Sequence, residues 1–290
     1  MKQKICWLLY DAKDLAVNRD YAALMQKIGL RYSLAIEAVT LQELTLGMDA
    51  AGQPTLLRSG QPARPDAVLS RMRADWVSEH LEHIGIPVFN NSKVCRICND
   101  KRRTHLFLQG LPMAETVFLD GSCGIVSAPA VFPRVLKPAD GHGGEFVQLI
   151  EDESAWQEAS AKLFFPSPRP ALHQAVVSRP GQDLRVYVLF GRILAGVLRT
   201  AKAGVVSNFK LGGSVALHTL TDAERILAEA VIQRFEEASA PLHMAGVDLL
   251  YTEDGPVISE VEDVVGSRML YQVSDIDLVD QYLQGIAERI

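Results

Sequence analysis

Residues 247–262 read VDLLYTEDGPVISEVE. Apolar and polar residues alternate on both sides of a short Glu-Asp-Gly stretch, a pattern that predicts two antiparallel strands joined by a tight turn. A three-residue loop in such a turn puts Thr252 opposite Pro256 and Asp248 opposite Glu260. The segment therefore predicts a hairpin that brings two carboxylates together on neighbouring strands.

The two faces of this hairpin differ in chemistry. Glu262 is the next neighbour of Glu260 on the same side, so three carboxylates share one face. The opposite face is predicted to meet the core through Val247, Leu249, Tyr251, Val257 and Val261, with Ser259 as the exception. Clustered carboxylates repel one another unless hard cations neutralise them, and oxygen ligands suit Mg²⁺ that is shared with phosphates. The alternative is a solvated acidic face on an edge hairpin.

A glycine-rich loop is the second informative feature. Residues 140–144 read DGHGG and lie between two predicted strands at 131–137 and 146–150. Glycines let backbone N–H groups approach phosphate oxygens closely, so this loop is a candidate anion cradle that includes His142. Lys137 ends the preceding strand, where it either contacts phosphate or faces solvent.

The chain as a whole has the composition of a globular protein. It has 290 residues, of which 48% are hydrophobic and 22% charged, enough for two or three packed subdomains. The net charge of -6 and the absence of a basic stripe argue against nucleic acid as the main partner. The first apolar run, residues 5–10, is too short for a signal peptide or a membrane span. We therefore expect a cytoplasmic location and no membrane association.

The N-terminal third is predicted to start an open α/β sheet. Strands are expected at residues 5–10, 33–39, 66–70 and 87–89, and helices at 20–28 and 74–84, with a small hairpin around 55–61. Further on, the pattern predicts a helix or helix pair over 92–108, strands over 171–177, 183–190 and 193–200, and helices over 153–163, 221–239 and 277–288. Thr221 and Glu224 have capping-box spacing. Cys95 and Cys98 have C-x-x-C spacing, but no second pair completes a zinc site, which favours two small buried residues.

The order of these motifs resembles that of the ATP-grasp superfamily. The resemblance is carried by Lys137-Pro138-x-x-Gly141-x-Gly143-Gly144, Asp183-x-Arg185-Val186, Arg199, Ser207-Asn208, Gly246-Val247-Asp248 and Glu260-Val261-Glu262. Within the superfamily the chain looks like the RimK-type branch, whose members join amino acids such as glutamate to protein or peptide carboxyl ends. The resemblance implies an α/β (α+β) ATP-grasp fold with a pre-ATP-grasp α/β domain at 1–91, a central subdomain with a lid loop at 92–172, and a C-terminal subdomain with the metal site at 173–290.

The resemblance also assigns roles to individual positions. Phosphate contacts fall on Lys101, Lys137, Gly141, His142, Gly143 and Gly144, with Ser207 and Asn208 near the phosphates and metals. Adenine is read by the strand Gln174, Ala175, Val176 and Val177, and Asp183 contacts the ribose. Metal ligands are Asp248, Glu260 and Glu262, holding two Mg²⁺ ions, with Mn²⁺ as an alternative. Arg185 and Arg199 face the acyl phosphate and the incoming carboxylate.

The sequence departs from the family pattern at three places. Gln174-Ala175 stands where the family usually shows Gln-Glu, and Glu260-Val261-Glu262 stands where it shows Glu-x-Asn. The loop at 263–267 reads DVVGS and lacks the usual Ser-Pro-Gly run, which affects the acceptor pocket.

Together these features predict an ATP-dependent carboxylate–amine ligase that acts on small-molecule or peptide substrates. Two alternatives are an ATP-binding protein without ligase activity and an ATP-grasp kinase. A dinucleotide oxidoreductase is disfavoured, because Asp11-Ala12-Lys13-Asp14 stands where a G-x-G-x-x-G loop would follow the first strand. The sequence leaves the identities of acid and amine open, and also whether the chain forms a homo-oligomer.

Overall fold

The computed structural model describes residues 3–120, 127–202 and 213–290. The strands in these ranges are β1 (Lys4–Tyr10), β2 (Leu34–Thr40), β3 (Leu44–Met48), β4 (Pro54–Arg58), β5 (Gln61–Pro62), β6 (Ala67–Ser70), β7 (Val88–Phe89), β8 (Thr116–Leu119), β9 (Arg134–Pro138), β10 (Gln148–Ile150), β11 (Ala171–Ala175), β12 (Gln182–Leu189), β13 (Arg192–Thr200), β14 (Ser214–His218), β15 (Met244–Thr252) and β16 (Gly255–Glu262). The α-helices are α1 (Ala12–Val17), α2 (Arg19–Gly29), α3 (Asp75–His83), α4 (Ser92–Cys98), α5 (Lys101–Phe107), α6 (Glu153–Phe164), α7 (Asp222–Glu237), α8 (Arg268–Val273) and α9 (Leu278–Ala287). A search of the described residues finds no helix with the length and apolar character needed to span a membrane.

The N-terminal sheet is parallel, with strand order β2-β1-β6-β7. Both of its faces are covered, which explains why β1 is buried along its last five residues. Cys6 and Leu8 pack in the cluster that contains α2, and Trp7 and Leu9 pack in the cluster that contains α3. The chain adds β2 on one side of β1 and then β6 on the other. The direction of winding therefore reverses between β1 and β6.

A small antiparallel sheet, β3-β4-β5, covers one side of this region. The predicted hairpin around residues 55–61 is present as β4 and β5, but β3 was not predicted. Leu56 is buried in the same cluster as Trp7, so the small sheet is held by packing on the parallel sheet. Pairing with β4 is what makes residues 44–48 extended, because their own pattern is weak.

The middle sheet is antiparallel, with order β10-β9-β11-β8. Helix α6 covers one face by packing Trp156 and Leu163 against Leu136 and Ile150. Asp152 caps this helix by accepting a hydrogen bond from the backbone N–H of Ala155 at 2.8 Å. The packed sheet thus provides a rigid base for the glycine-rich loop between β9 and β10.

The five-stranded antiparallel sheet, β14-β13-β12-β15-β16, lies at the centre of the molecule. Alternate residues of β12 reach different cores: Val186 packs with Phe235 of α7, whereas Tyr187 packs with residues of α2 and α9. The capping box predicted for α7 is confirmed, since Thr221 and Glu224 exchange hydrogen bonds. Burial of both faces explains why β12 and β15 are apolar along most of their length.

Residues 92–108 form a helix pair, α4 and α5, because Asp100 caps the second helix by accepting from the backbone N–H of Arg102. Helices α1 and α8 and strands β8 and β14 were not predicted. The division of the chain at 91/92 and 172/173 stays a proposal, and the second boundary falls inside β11.

Candidate active site

A cavity of about 700 Å³ is lined by residues from the N-terminal, middle and five-stranded sheets. Within the described ranges, every predicted site residue lines it except Asp248, which lies beneath its wall with 2% exposure. Ser207 and Asn208 fall outside the described residues. The structure thus brings together residues from distant parts of the sequence.

Asp248 lies opposite Glu260 on the hairpin of β15 and β16, as predicted. The turn itself differs from the prediction. Thr252 pairs with Gly255 instead of Pro256, so the loop has two residues and not three. A β-bulge further along the hairpin adds one residue to β16 and restores the predicted pairing of the two carboxylates.

The bulge changes which side chains reach the core. Leu249 pairs with Ile258, so Ser259 is the extra residue. Ile258 is fully buried in the cluster with α7. Val257 pairs with Leu250, which lines the cavity. Val257 is buried, as predicted, but it shares the face of Leu250 and not that of Leu249, because the shorter turn shifts the register by one residue up to the bulge.

Two buried arginines and their carboxylate partners form one network under the cavity. Arg185 forks onto Asp248 with hydrogen bonds of 2.8 and 2.7 Å, and its Nη1 lies 2.5 Å from Glu262. Arg199 forks onto Asp183 and also reaches Asp248 at 2.6 Å. Strand pairing explains the arrangement, since Arg185 is opposite Asp248 and Arg199 is opposite Asp183.

The network keeps Asp248 ionised. Burial by itself raises the pKa of a carboxyl group, but the charges of Arg185 and Arg199 outweigh burial and hold the pKa of Asp248 well below its usual range. The resemblance implied that the arginines face substrate and that Asp248 holds metal. In the structure these groups are paired with one another, and both arginines also line the cavity.

Lys101 connects the hairpin to the glycine-rich loop. Its Nζ lies 3.0 Å from Glu260 and donates a hydrogen bond to the carbonyl oxygen of Gly141. Burial and Asp248 raise the pKa of Glu260, but the charges of Lys101 and Lys137 together with the hydrogen bond from Lys101 outweigh them and lower it. Lys101 is the first residue of α5, directly after the cap at Asp100.

Lys137 is almost fully buried, with 7% exposure, and donates to Oε1 of Gln174 at 3.1 Å. Burial lowers its pKa to about 8, and the nearby positive charge of Lys101 acts in the same direction, whereas Glu260 opposes it. A buried ammonium group held by one neutral partner at the cavity wall is well placed to meet an anion. The solvent-facing alternative for this lysine is not what the structure shows.

The glycine-rich loop follows β9 and lines the cavity along its whole length from Asp140 to Glu145. Gly143 and Gly144 have φ values of 66° and 77°, which disfavour residues with a side chain. His142 lies in the same stretch. Strand β11 lies beside β9. Its Gln174 donates to Thr116 at 3.0 Å, and Gln174 and residues 175–177 line the cavity.

The hairpin carboxylates have the chemistry of an Mg²⁺ site. They are oxygen donors on adjacent strands, and Glu260 and Glu262 keep 30% of their side chains exposed. Within the described ranges, however, no three His, Cys, Asp or Glu side chains converge closely enough to hold a metal ion. The reason is that each carboxylate is turned toward a lysine or an arginine.

Several residues that line the cavity were not predicted, among them Tyr10, Arg71, Arg268 and Asp263. Burial raises the pKa of Asp263 to about 7, although Asn99 donates to its two carboxylate oxygens at 3.1 Å each. Tyr10 ends β1, and Arg71 directly follows β6. The position of both at the carboxyl ends of parallel strands is the signal that could have found them.

Comparison with known proteins agrees with this geometry. The family model for a RimK-like ATP-grasp domain matches residues 124–286. A protein of Xanthomonas oryzae pv. oryzae (strain MAFF 311018), named "Probable alpha-L-glutamate ligase", is 29% identical over 237 residues, covering 78% of this chain and 79% of that protein. The crystal structure of D-cycloserine synthetase DcsG has a TM-score of 0.73 at 18% identity and covers 98% of this chain and 99% of DcsG. The ATP-grasp ligase PsnB, complexed with a phosphomimetic variant of its minimal precursor, Mg and ADP, has a TM-score of 0.67 at 16% identity, with 100% of each chain covered.

The solved structures confirm the predicted mixed α/β architecture as an ATP-grasp fold. The family model spans more than half of the chain and covers the glycine-rich loop, β11 to β13 and the carboxylate hairpin. This chain therefore belongs to the RimK-like ATP-grasp family of ligases.

Proposed function

We propose that the cavity is the active site of an ATP-dependent carboxylate–amine ligase of the acid–amino-acid type. One observation carries the proposal: the glycine-rich loop, two lysines and the carboxylate hairpin line or underlie a single cavity. The reaction runs in two steps. A substrate carboxylate oxygen attacks the γ-phosphorus of ATP to give an acyl phosphate and ADP, and an amine then attacks the acyl carbon and releases phosphate.

The nucleotide is proposed to lie along β11 and the glycine-rich loop. Lys101, Lys137 and the amides of Gly141 to Gly144, with His142 among them, bind the phosphates. Residues 174–177 face the adenine, and Asp183 contacts the ribose. Ser207 and Asn208 complete the phosphate site in this proposal. The support is that the described members of the set line one cavity and that Lys137 is buried there beside a neutral partner, Gln174.

Asp248, Glu260 and Glu262 are proposed to hold two Mg²⁺ ions, or Mn²⁺ in their place. Bound metal neutralises charge on the phosphate oxygens. Glu260 and Glu262 reach the cavity directly, whereas Asp248 lies beneath it and orients Arg185 and Arg199. Because those two guanidinium groups are already fixed by carboxylates, they are oriented before substrate arrives and stabilise negative charge that develops at the reacting carbonyl. The glycine-rich loop is proposed to close over the intermediate and exclude water.

The test is release of ADP and phosphate from Mg-ATP across a panel of acids and amines. The panel includes free amino acids and short peptides, as the names of the Xanthomonas relative and the PsnB complex suggest. We expect ADP release that needs an acid, and trapping of the acyl phosphate as a hydroxamate when hydroxylamine replaces the amine.

Two alternatives give different results in the same assay. A nucleotide-binding protein without ligase activity binds ATP and releases no ADP with any acid. A kinase produces ADP but transfers the phosphate stably to a hydroxyl group, so no free phosphate appears and no hydroxamate forms. Either result would replace the ligase assignment.

A further inference from the structure

The end of the cavity beside the N-terminal sheet carries buried polar groups that the proposed ATP site does not use. Tyr10 is the last residue of β1 and Arg71 directly follows β6, so the two residues flank the point where the winding of the sheet reverses. Ligands of open α/β sheets bind outside the carboxyl ends of the strands at such a point. The topology alone therefore marks this end as a binding region.

Arg71 is a buried cation that has no ion-pair partner among residues 3–120, 127–202 and 213–290. It is 8% exposed, and its Nη2 donates to the carbonyl oxygens of Val264 at 3.2 Å and Val265 at 2.9 Å. Its Nε is buried with no hydrogen-bond partner among the described residues, and its guanidinium carbon lies 5.4 Å from the centroid of the Tyr21 ring. The neighbouring Arg73 pairs with Asp14 at 3.4 Å, but no ion pair in the described ranges includes Arg71. Burying an unpaired charge is unfavourable, so this site is completed by an anion.

Tyr10 adds a hydrogen-bond donor at the same place. It is 2% exposed and lines the cavity, and its hydroxyl has no partner with hydrogen-bond geometry in the described residues. A buried hydroxyl without a partner is uncommon in folded proteins. Together Tyr10 and Arg71 bring hydrogen-bond donors to this end of the cavity.

The carboxylates at this end are already engaged elsewhere. Glu262 pairs with Arg185, and Asp263 accepts from Asn99. Arg268, the first residue of α8, also lines the cavity and forms no ion pair in the part of the chain that the structure describes. In those ranges Arg71 and Arg268 are therefore cations of the cavity lining that no carboxylate pairs with.

We propose that Arg71, Tyr10 and Arg268 form a carboxylate subsite, so that the enzyme selects a substrate with a second carboxylate in addition to the group that reacts. This inference rests on the proposed ligase function. The reacting carboxylate has to lie at the phosphates beside Lys101 and Lys137, whereas Arg71 hydrogen-bonds to residues 264 and 265 in the loop after β16. Arginine suits this role because its planar fork can bind both carboxylate oxygens.

The experiment compares acids with their amide analogues, which match in size and lack the second charge. Glutamate with glutamine and aspartate with asparagine are tested as free amino acids and at the carboxyl end of a dipeptide, to separate a small diacid from a peptide end. We expect wild-type kcat/KM to be at least about tenfold higher for the acid of the preferred pair. Arg71→Gln is expected to lower kcat/KM for that acid by about 10- to 100-fold and to leave the value for the amide unchanged. Equal use of acid and amide by the wild type, or an equal loss on both in Arg71→Gln, overturns the subsite.

Two controls keep the result interpretable. Arg64→Gln is a matched control, because Arg64 also donates to a backbone carbonyl, that of Ile84 at 2.8 Å, but does not line the cavity. Its acid preference should equal that of the wild type. If Arg71→Gln does not fold, Tyr10→Phe and Arg268→Gln are expected to reduce the preference about three- to tenfold, and no reduction in either refutes the subsite.

Failure of the subsite can be told apart from failure of the ligase function. Glutarate, which has two carboxylates and no amine, is added without ATP while the Tm is followed, with glutaramate as the singly charged control. Stabilisation by glutarate that is lost in Arg71→Gln supports the subsite even if no acid is ever ligated. ADP release without any preference for a second carboxylate contradicts the subsite and leaves the ligase function standing.

Discussion

The two ends of the cavity differ in how their buried arginines are paired. At the hairpin end, Arg185 and Arg199 each fork onto a buried carboxylate of the same sheet. At the end beside the N-terminal sheet, Arg71 is equally buried, but the acceptors of its hydrogen bonds in the described residues are backbone carbonyls, and the hydroxyl of Tyr10 has no partner there. One end is neutralised by the protein itself, and the other presents donors without an anion.

The two ends therefore suit different tasks: the hairpin end orients groups for the reaction, and the N-terminal end selects the substrate. Paired buried charges are costly to desolvate but hold each other in a fixed geometry, which suits groups that must be oriented before substrate binds. Unpaired donors leave part of their interaction energy for a ligand, which suits recognition. The hairpin end is therefore the place where substitutions should harm folding and chemistry together, and the N-terminal end the place where they should change substrate choice.

The strongest test of this comparison is Asp248→Asn. It replaces the buried carboxylate that Arg185 and Arg199 share with a neutral amide, so that buried positive charge is no longer balanced. We therefore expect the free energy of unfolding to fall by about 3–5 kcal/mol. ADP release should be lost. Chemical denaturation and a coupled ADP assay measure the two effects. Asp254→Asn, at the exposed turn of the same hairpin, should stay within about 0.5 kcal/mol of the wild type. Normal turnover in Asp248→Asn would refute the proposed metal site.

A second prediction concerns pH and Lys137. Because its pKa is lowered to about 8, the ammonium form is lost as the pH rises through 8. ATP affinity measured by calorimetry should then fall by up to about tenfold per pH unit above pH 8. Lys137→Arg, which stays charged, should flatten this dependence. A steep decline that persists in Lys137→Arg would assign the titration to another group.

The same pKa shift predicts an opposite trend in stability. Between pH 8 and the unfolded value near 10.5, the unfolded chain binds a proton on Lys137 that the native protein does not bind. The contribution of this lysine to stability therefore increases with pH across that window. The denaturation midpoints of the wild type and of Lys137→Met, measured over this pH range, isolate the contribution. If the two plots of midpoint against pH run parallel, Lys137 does not make this contribution.

The smallest effect is expected for stability in Arg71→Met. Loss of two hydrogen bonds to Val264 and Val265 destabilises the protein, but removal of an unpaired buried charge offsets that loss. We expect a net change of about 1 kcal/mol or less, measured by denaturation. A loss as large as that of Asp248→Asn would show that Arg71 is neutralised within the protein and would remove the contrast between the two ends.

Local rules were sufficient for much of the fold and of the site. The helix at α7 could be predicted because its capping box lies within four residues, and the positive φ angles of Gly143 and Gly144 fit the loop expected there. Asp248 was placed opposite Glu260 from an assumed three-residue loop, and alternation supported that register. That prediction succeeded although the loop length was wrong, because the bulge at Ser259 compensated for the shorter turn. Alternation constrains which faces meet, but it does not reveal where an extra residue is inserted.

The sequence by itself determined the order of the motifs, the fold class and many of the residues that line the cavity around the glycine-rich loop. Only the tertiary structure decided that Asp248 lies beneath the cavity between two arginines, and that Tyr10 and Arg71 meet at the reversal of a parallel sheet. The physical reason is that side-chain periodicity is a local property of the backbone. Ion pairing and burial instead depend on which strands become neighbours, and the paired residues Arg185 and Asp248 are 63 residues apart.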